Sequence, residues 1–286
     1  MLTRTPTILL LSALAVLGAC NKAQAPNADT LNARGLAAAD KGEYDKAITS
    51  YDSAIQLKPD FANAYKNRGV TYAQKGDYDR AIQDFDHALK LKPDMASAFN
   101  SRGLASQVKG DFPKSVADFD EAIKLRPDNA TALKNRGRSQ FFQGHFAEAA
   151  ADLAKGGALD STNAYVAIWL FLAKQRIGQD NTKEFVSQLA KTDTVGWPAP
   201  VAKYYLGKLT ADQLVAAATA TTSKVQADQR CAASFYIGEY LLIKKQVPEA
   251  KKRFEDAKAN CPKTWTEQQG AVSELQRLSG AARTTT

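Results

Sequence analysis

A segment of one length repeats four times between residues 28 and 163. Glycine returns at a constant step (69 − 35 = 34), arginine precedes it each time, and proline keeps the same step. The recurring positions are Gly35, Gly69, Gly103 and Gly137; Arg34, Arg68, Arg102 and Arg136; and Pro59, Pro93 and Pro127. Spacing this strict indicates that each segment folds alike and packs on the next one in the same way, as in a solenoid.

Each repeated segment predicts two helices. In Ala62–Gln74 the apolar and small residues recur at helical spacing, Gly76 interrupts the pattern, and a second pattern runs over Tyr78–Leu91. We call the first helix A and the second B. Glycine inside a helix costs about 1 kcal/mol relative to alanine, so the glycine within each A helix predicts a close approach between A and B.

The 34-residue, two-helix unit resembles the tetratricopeptide repeat (TPR). The resemblance implies an all-α fold, a right-handed superhelical solenoid of TPR hairpins whose A helices line a concave groove. It further implies a non-catalytic scaffold that binds other proteins.

The arginine before each A-helix glycine departs from the commonest repeat pattern, which has a bulky apolar residue there. Aspartate recurs in the B helices of the same units, at Asp84, Asp118 and Asp152, whereas the first unit has Ser50. We therefore predict that these arginines pack at the hairpin interface and pair with the aspartates.

Other polar residues of the A helices are candidates for the groove. The A helices are basic and the B helices acidic, and lysine and asparagine at these places resemble the carboxylate-holding positions of peptide-binding TPR domains, although the full set is absent. The predicted groove residues are Lys66, Asn67, Asn100, Ser101, Lys134, Asn135 and Arg138. The alternative for each residue is a solvated surface position.

The N-terminus predicts an exported protein with a lipid anchor. Residues 1–19 combine Arg4 with a short apolar run, and Leu17 to Cys20 (Leu-Gly-Ala-Cys) resembles a bacterial lipobox, in which the signal peptide is cleaved before a lipid-modified cysteine. The alternative is an ordinary signal peptide cleaved after Ala25, which Pro26 would hinder. Residues 20–27 would then form a tether. Asn21 resembles a sorting signal for the outer rather than the inner membrane, facing the periplasm.

Charge argues against a nucleic-acid-binding protein. The net charge is +8, but residues 28–163 hold 19 basic and 19 acidic residues, whereas residues 164–286 hold 17 and 11. An exported protein meets little nucleic acid, so the basic excess favours anionic envelope components or acidic partners. A rival binding surface is the basic C-terminal hairpin with Lys244, Lys245, Lys251, Lys252 and Arg253.

Residues 164–286 are predicted to form a degenerate, TPR-like helical region. Trp197, the segment 203–210 and the segment 234–240 resemble the C-terminal half of the NlpI-type bacterial envelope lipoproteins. That resemblance implies an adaptor, often a homodimer, that brings cell-wall hydrolases to a protease or to one another. The alternatives are a structural tether or assembly factor of the envelope and a regulatory subunit of a glycosyltransferase or hydrolase.

Cys231 and Cys261 are predicted to form a disulfide. Export places them in an oxidising compartment, and Cys20 is assigned to lipid. The turn near Gln246 lies equally far along the chain from each (246 − 231 = 261 − 246), so antiparallel helices bring both sulfurs to the same end. The alternative is two buried free thiols.

No motif in the sequence indicates catalysis, a metal or a cofactor. His87 and His145 have no cysteine or carboxylate at ligand spacing, and no nucleophile or phosphate-binding motif surrounds the serines or glycines. A separate catalytic domain would be needed for an enzyme. We therefore expect a protein that is not an enzyme.

Overall fold

The computed structural model describes residues 27–160, 164–192, 196–218 and 223–283. The predicted signal peptide, Cys20 and all but the last residue of the tether lie outside these ranges. Within them the chain forms fifteen helices: α1 (Ala28–Asp40), α2 (Tyr44–Leu57), α3 (Ala62–Gln74), α4 (Tyr78–Leu91), α5 (Ala96–Val108), α6 (Phe112–Leu125), α7 (Ala130–Gln143), α8 (Phe146–Leu159), α9 (Ala164–Arg176), α10 (Thr182–Leu189), α11 (Ala199–Tyr205), α12 (Ala211–Ala216), α13 (Ser223–Ile243), α14 (Val247–Asn260) and α15 (Thr266–Arg283).

The first eight helices form the four predicted hairpins, with α1, α3, α5 and α7 as A helices. Each A helix packs on its own B helix, and each B helix packs on the A helix of the next hairpin. The predicted all-α solenoid is therefore confirmed. Among the described residues no helix is both long enough and apolar enough to cross a membrane.

The A-helix glycines lie where the two helices of a hairpin come closest. A β-carbon on Gly69 would lie 2.9 Å from Cε1 of Phe85, and one on Gly103 would lie 2.9 Å from Cε1 of Phe119. Both rings are fully buried. Real β-carbons do not approach other atoms this closely, so only glycine admits the ring at this point.

In the second, third and fourth repeats, the arginine before the A-helix glycine links three helices. Nε and Nη2 of Arg102 donate to Asp118 of its own B helix at 3.0 and 2.6 Å, and Nη1 donates to Asp86 of the preceding B helix at 2.5 Å. Arg68 and Arg136 repeat the pattern, the former with Asp84 and Asp52 and the latter with Asp152 and Asp120. The predicted pairing is thus confirmed, and it extends between repeats. These hydrogen bonds raise the pKa of all three arginines. We call the three arginines and their aspartates the ladder.

The predicted C-terminal hairpin is formed by α13 and α14, and it has the geometry of the first four hairpins, which the sequence analysis did not recognise. A β-carbon on Gly238 would lie 2.7 Å from Cε1 of Phe254, and these two residues have the same separation as Gly69 and Phe85. Lys245 has a positive φ of 60° at the position that glycine holds in the first four hairpins. The sequence already indicated this likeness, since Ala250 and Pro262 follow Gly238 at the same distances as the corresponding alanine and proline follow the A-helix glycine in the first repeats.

Helix α9 is the centre of a large C-terminal core. It is buried around most of its circumference, as predicted for residues 165–177. Trp169 contacts rings from α7 and α13, at 5.3 Å from the ring centre of Phe142 and 5.8 Å from that of Phe235. The C-terminal helices therefore fold back onto the last repeats instead of extending the solenoid.

Helix α15, which the sequence analysis also missed, is held against the repeats by buried charges. Arg176 donates to Glu239 at 2.8 Å and to Glu274 of α15 at 3.1 Å, while Arg277 pairs with Glu274 and donates to the carbonyl of Phe142 in α7 at 2.8 Å. Burial, followed by the nearby Glu274, raises the pKa of Glu239 to about 8, and Arg176 opposes this. The cluster joins α7, α9, α13 and α15.

The predicted C-terminal hairpin places its two cysteines together. Helices α13 and α14 bracket the turn near Gln246, and a disulfide joins Cys231 to Cys261, whose α-carbons lie 5.1 Å apart. The bond ties the end of α14 to the middle of α13.

We expect the Arg102→Leu substitution to lower the free energy of unfolding by about 3 kcal/mol, because it leaves the carboxylate of Asp118, only 7% exposed, without its partner. The double variant Arg102→Leu/Asp118→Ala should lose less than the sum of the two single variants. Urea unfolding of all three, with the exposed Arg126→Leu as control, measures the coupling. Strictly additive losses would contradict a role for the pair.

Thiol titration of the mature protein purified under oxidising conditions should find neither Cys231 nor Cys261 free. Reduction should lower stability by about 3 to 4 kcal/mol on a loop-entropy estimate, and the Cys231→Ser/Cys261→Ser variant should be insensitive to the reductant. Two titratable thiols in the folded, unreduced protein would refute the disulfide.

Candidate functional site

The A helices line one face of the solenoid. Neighbouring A helices contact each other, α1 with α3, α3 with α5, α5 with α7 and α7 with α9, whereas among the described residues the B helices of adjacent hairpins make no such contacts. In a curved stack the elements that touch along the row lie on the inner side. The groove is therefore lined by the A helices.

Lys66, Asn100 and Lys134 hold equivalent positions on adjacent A helices, each one repeat after the last (100 − 66 = 134 − 100). Lys66 is half-buried, and burial lowers its pKa. Oδ1 of Asn100 is buried and has no hydrogen-bond partner among the residues that the structure describes. The half-buried Ser101 follows it on α5. These residues of α3 and α5 leave polar groups in the groove for a ligand.

The remaining groove candidates take part in contacts within the protein. Nδ2 of the buried Asn67 donates to Asn32 on α1 at 2.9 Å. Lys134 pairs with Asp160 at 2.5 Å. Nη2 of Arg138 donates to Asn135 at 3.0 Å and to Gln107 on α5 at 2.9 Å. Four of the seven residues predicted for the groove therefore already have polar partners within the protein, so the sequence pattern overstated how many are available to a ligand.

Helix α15 lies on the C-terminal part of the A-helix face. The side chain of Gln269 occupies the space beside Gly110 at the end of α5, and that of Arg277 lies beside Gly144 at the end of α7. Gly270 packs between Phe142 and a ring of α13. The groove is thus open along α1 and α3 and narrowed by α15 at α5 and α7.

Two adjoining hollows remain where the groove meets α9 and the start of α15. Both are bordered by Arg138, Tyr165 and Trp169. One, with a volume of about 260 Å³, extends between α7 and α8, and the other, of about 340 Å³, extends to Trp265 and Glu267. We call the two together the aromatic pocket. Of the residues that border these hollows, sequence reasoning had predicted Lys134, Asn135 and Arg138 for the groove. It did not predict the aromatic walls, because the larger hollow forms only where the start of α15 folds back.

The rival surface, the basic C-terminal hairpin, is also accessible. Lys244, Lys245, Lys251 and Lys252 are exposed, and Arg253 is half-buried. Exposed lysines are individually weak contacts in water. Within the described ranges no group of three or more His, Cys, Asp or Glu side chains is arranged to hold a metal ion.

The repeated segments match known proteins in sequence and shape. Family models described as TPR repeat and tetratricopeptide repeat match residues 35–76, 62–95 and 100–164. Among solved structures, YrrB, described as a TPR protein with an unusual peptide-binding site, is 17% identical, with 64% of this chain and 93% of that chain covered and a TM-score of 0.54.

Solved structures of the protein MamA are also similar to this chain in fold. One crystal structure is 20% identical over 63% of this chain and 94% of that chain, with a TM-score of 0.52. Another, from Desulfovibrio magneticus RS-1, is 18% identical over 57% and 92%, also with a TM-score of 0.52. Identities this low support the fold alone. Together with the hairpin geometry, the matches show that the repeated segments of this chain are tetratricopeptide repeats.

Proposed function

We propose that this protein is a non-catalytic, lipid-anchored scaffold of the bacterial cell envelope that holds an acidic or C-terminal segment of a partner protein in its concave groove. The observation that carries the proposal is the pair of equivalent polar residues on adjacent A helices: Asn100 on α5, whose Oδ1 is buried without a hydrogen-bond partner among the described residues, and Lys66 on α3, whose pKa is lowered by burial. A buried polar group without a partner costs free energy, and a ligand that supplies hydrogen bonds recovers it.

An extended peptide suits this arrangement. Adjacent packed helices lie about 8–10 Å apart, and an extended chain advances about 3.3 Å per residue, so successive A helices meet every third residue of a bound segment. Carboxylates of such a segment would accept charge-assisted hydrogen bonds from the lysine, and the asparagine amide would bond to its backbone.

The B-helix face is acidic, so it disfavours an acidic segment of a partner. Its aspartates include Asp52, Asp86 and Asp120, exposed apart from their contacts with the ladder arginines. An acidic segment is repelled there and attracted to the A-helix face, so complementary charge favours the groove.

The anchor would fix the solenoid at its N-terminal end. Asn27, whose side chain accepts from the backbone N–H of Thr30, caps α1, so the repeats begin directly after the proposed tether. Asn27 lies seven residue steps after Cys20 (27 − 20), and seven steps span at most about 25 Å. The first repeat would therefore stay near the membrane while the groove remains open to partners.

Once a partner has been captured from envelope extracts, the variant Lys66→Ala/Asn100→Ala should bind it at least about tenfold more weakly, equivalent to ~1.4 kcal/mol. Affinity should also fall with added salt. The matched control is Lys251→Ala/Lys252→Ala on the basic hairpin, which removes two charges outside the groove. If the control alone loses affinity, the groove is not the binding surface.

The Cys20→Ala variant should accumulate as an uncleaved or mis-sorted precursor, because the lipid-dependent peptidase requires the modified sulfur. Membrane fractionation and metabolic labelling with a fatty acid measure the outcome, with Cys231→Ser/Cys261→Ser as a control that should keep its label. Unchanged membrane association of the Cys20 variant would reject the anchor.

A further inference from the structure

Helix α1 has a face that no other helix of the described chain covers. The A helices of the second, third and fourth repeats each pack on the B helix of the preceding hairpin, whereas α1 contacts only α2 and α3. Thr30 and Ala37 are exposed, although the residues one repeat later, Ala64 and Thr71, are fully buried. The first A helix therefore presents to solvent the face that its equivalents bury.

Two cations lie on this face of α1. Arg34 and Lys41 are exposed and form no ion pair within the described residues. They are seven residues apart, so they lie on one side of the helix, about 10 Å apart along its axis. A hollow of about 580 Å³ runs beside them, between α1 and α2. We call Thr30, Arg34, Ala37 and Lys41 the open edge, in which two small residues alternate with two cations.

The next two repeats show what the equivalent cations bind. In each, the arginine and the lysine pair with two aspartates of the preceding B helix, and these aspartates are also seven residues apart. The pairs are Arg68 with Asp52, Lys75 with Asp45, Arg102 with Asp86, and Lys109 with Asp79. Because the later residue of the A helix binds the earlier residue of the B helix, the two helices run antiparallel. A helix with carboxylates at this spacing would complete the open edge in the same way.

The B helices also bring apolar side chains to the small positions of the next A helix. An isoleucine or leucine follows each of the four aspartates by three residues: Ile48, Ile55, Ile82 and Leu89. Ile82 packs against the buried cluster that contains Ala105, the equivalent of Ala37 on α5. The docking motif is therefore an acid, two residues, an apolar residue, three residues, a second acid, two residues and a second apolar residue.

The nearby parts of this chain do not supply the two carboxylates. Residues 1–26 contain no acidic residue. At the start of α2, Glu43 pairs with Lys46, and Asp45 pairs with Lys75 of the second repeat. The carboxylates that would pair with the open edge therefore come from another molecule.

From these observations we infer that the open edge is a second interaction surface, which binds an acidic amphipathic helix of a partner protein in the place of a preceding B helix. The helix runs antiparallel to α1, with one carboxylate on Lys41, another seven residues later on Arg34, and an apolar side chain against Ala37. An anionic membrane surface would pair with the two charges but would not cover the small residues between them. The surface lies outside the concave groove and does not depend on the proposed function.

The probe is the α4 sequence of this chain as a separate peptide. Residues 76–93, acetylated and amidated at the ends, are stapled on the side opposite the docking motif, because a helix this short is marginal in water. Glutamine replaces Phe85, which is fully buried in the protein and would have no helix to pack on. The control peptide carries Asp79→Asn and Asp86→Asn. Calorimetry with the mature protein should find the acidic peptide bound at least tenfold more tightly than the control, by a margin that shrinks with salt. Equal affinities would overturn the inference.

Variants of the protein assign this preference to the open edge. Arg34→Gln/Lys41→Gln should abolish the difference between the two peptides, and Ala37→Gln should weaken the acidic peptide at least fivefold. The matched control Lys90→Gln/Lys92→Gln removes two exposed lysines at the end of α4 and should leave both affinities unchanged. Circular dichroism checks that each variant is folded. A folded Arg34→Gln/Lys41→Gln variant that still prefers the acidic peptide would show that the preference arises elsewhere.

The same variants test two other occupants of the open edge. If sedimentation finds a dimer that Arg34→Gln/Lys41→Gln dissociates, the edge binds a second copy of this chain, and the inference is rejected. If dihexanoylphosphatidylglycerol binds through Arg34 and Lys41 while the acidic peptide does not bind, the ligand is a lipid headgroup, and the inference is rejected as well. Binding of the acidic peptide to a monomer, with loss in the Arg34→Gln/Lys41→Gln variant, supports a partner helix.

Discussion

The contact between an A-helix glycine and a B-helix side chain sixteen residues later sets the distance between the helices of each hairpin. It is made by a ring at Gly35, Gly69 and Gly103, by Leu153 at Gly137, and again by Phe254 at Gly238. A side chain on the glycine would force the helices apart and widen the repeat. Because each hairpin packs on the next, a change in one spacing would propagate along the stack.

The arginine and aspartate ladder depends on that spacing. Each ladder arginine bonds an aspartate of its own hairpin and one of the preceding hairpin, so the interface carries charge where a repeat of the common pattern has apolar packing. Buried ion pairs add little net stability but strongly disfavour arrangements that leave one partner alone. The ladder therefore favours one register of packing between a hairpin and the next. It ends at the N-terminus, where Arg34 is exposed and Ser50 replaces the aspartate.

The C-terminal helices turn an open groove into a bounded one. The aromatic core around Trp169 and the cluster of Arg176, Glu239 and Glu274 hold α15 on the repeats. The acidic members of this cluster are fully buried, so detaching α15 would expose two paired carboxylates together with the core. The C-terminal end of the groove is therefore bordered by a helix that buried charges and the aromatic core hold in place.

The sequence by itself determined the four hairpins, their A and B helices and the ladder, because each of these depends on residues at fixed offsets within one repeat or between neighbours. The hairpin formed by α13 and α14 also keeps the repeat spacing in the sequence. It was hard to recognise as a repeat because it lacks the arginine before the A-helix glycine and the glycine of the turn. Only the tertiary structure decided where α15 lies and that Arg138 and Trp265 border the same hollow, since these two residues lie far apart in the chain and no local period links them. It decided likewise that Lys134 pairs with Asp160, whereas Lys66, at the equivalent position, has no such partner in the described part of the chain. Contacts distant in the chain follow from how whole helices pack, and a repeat pattern does not encode that packing once the repeats end.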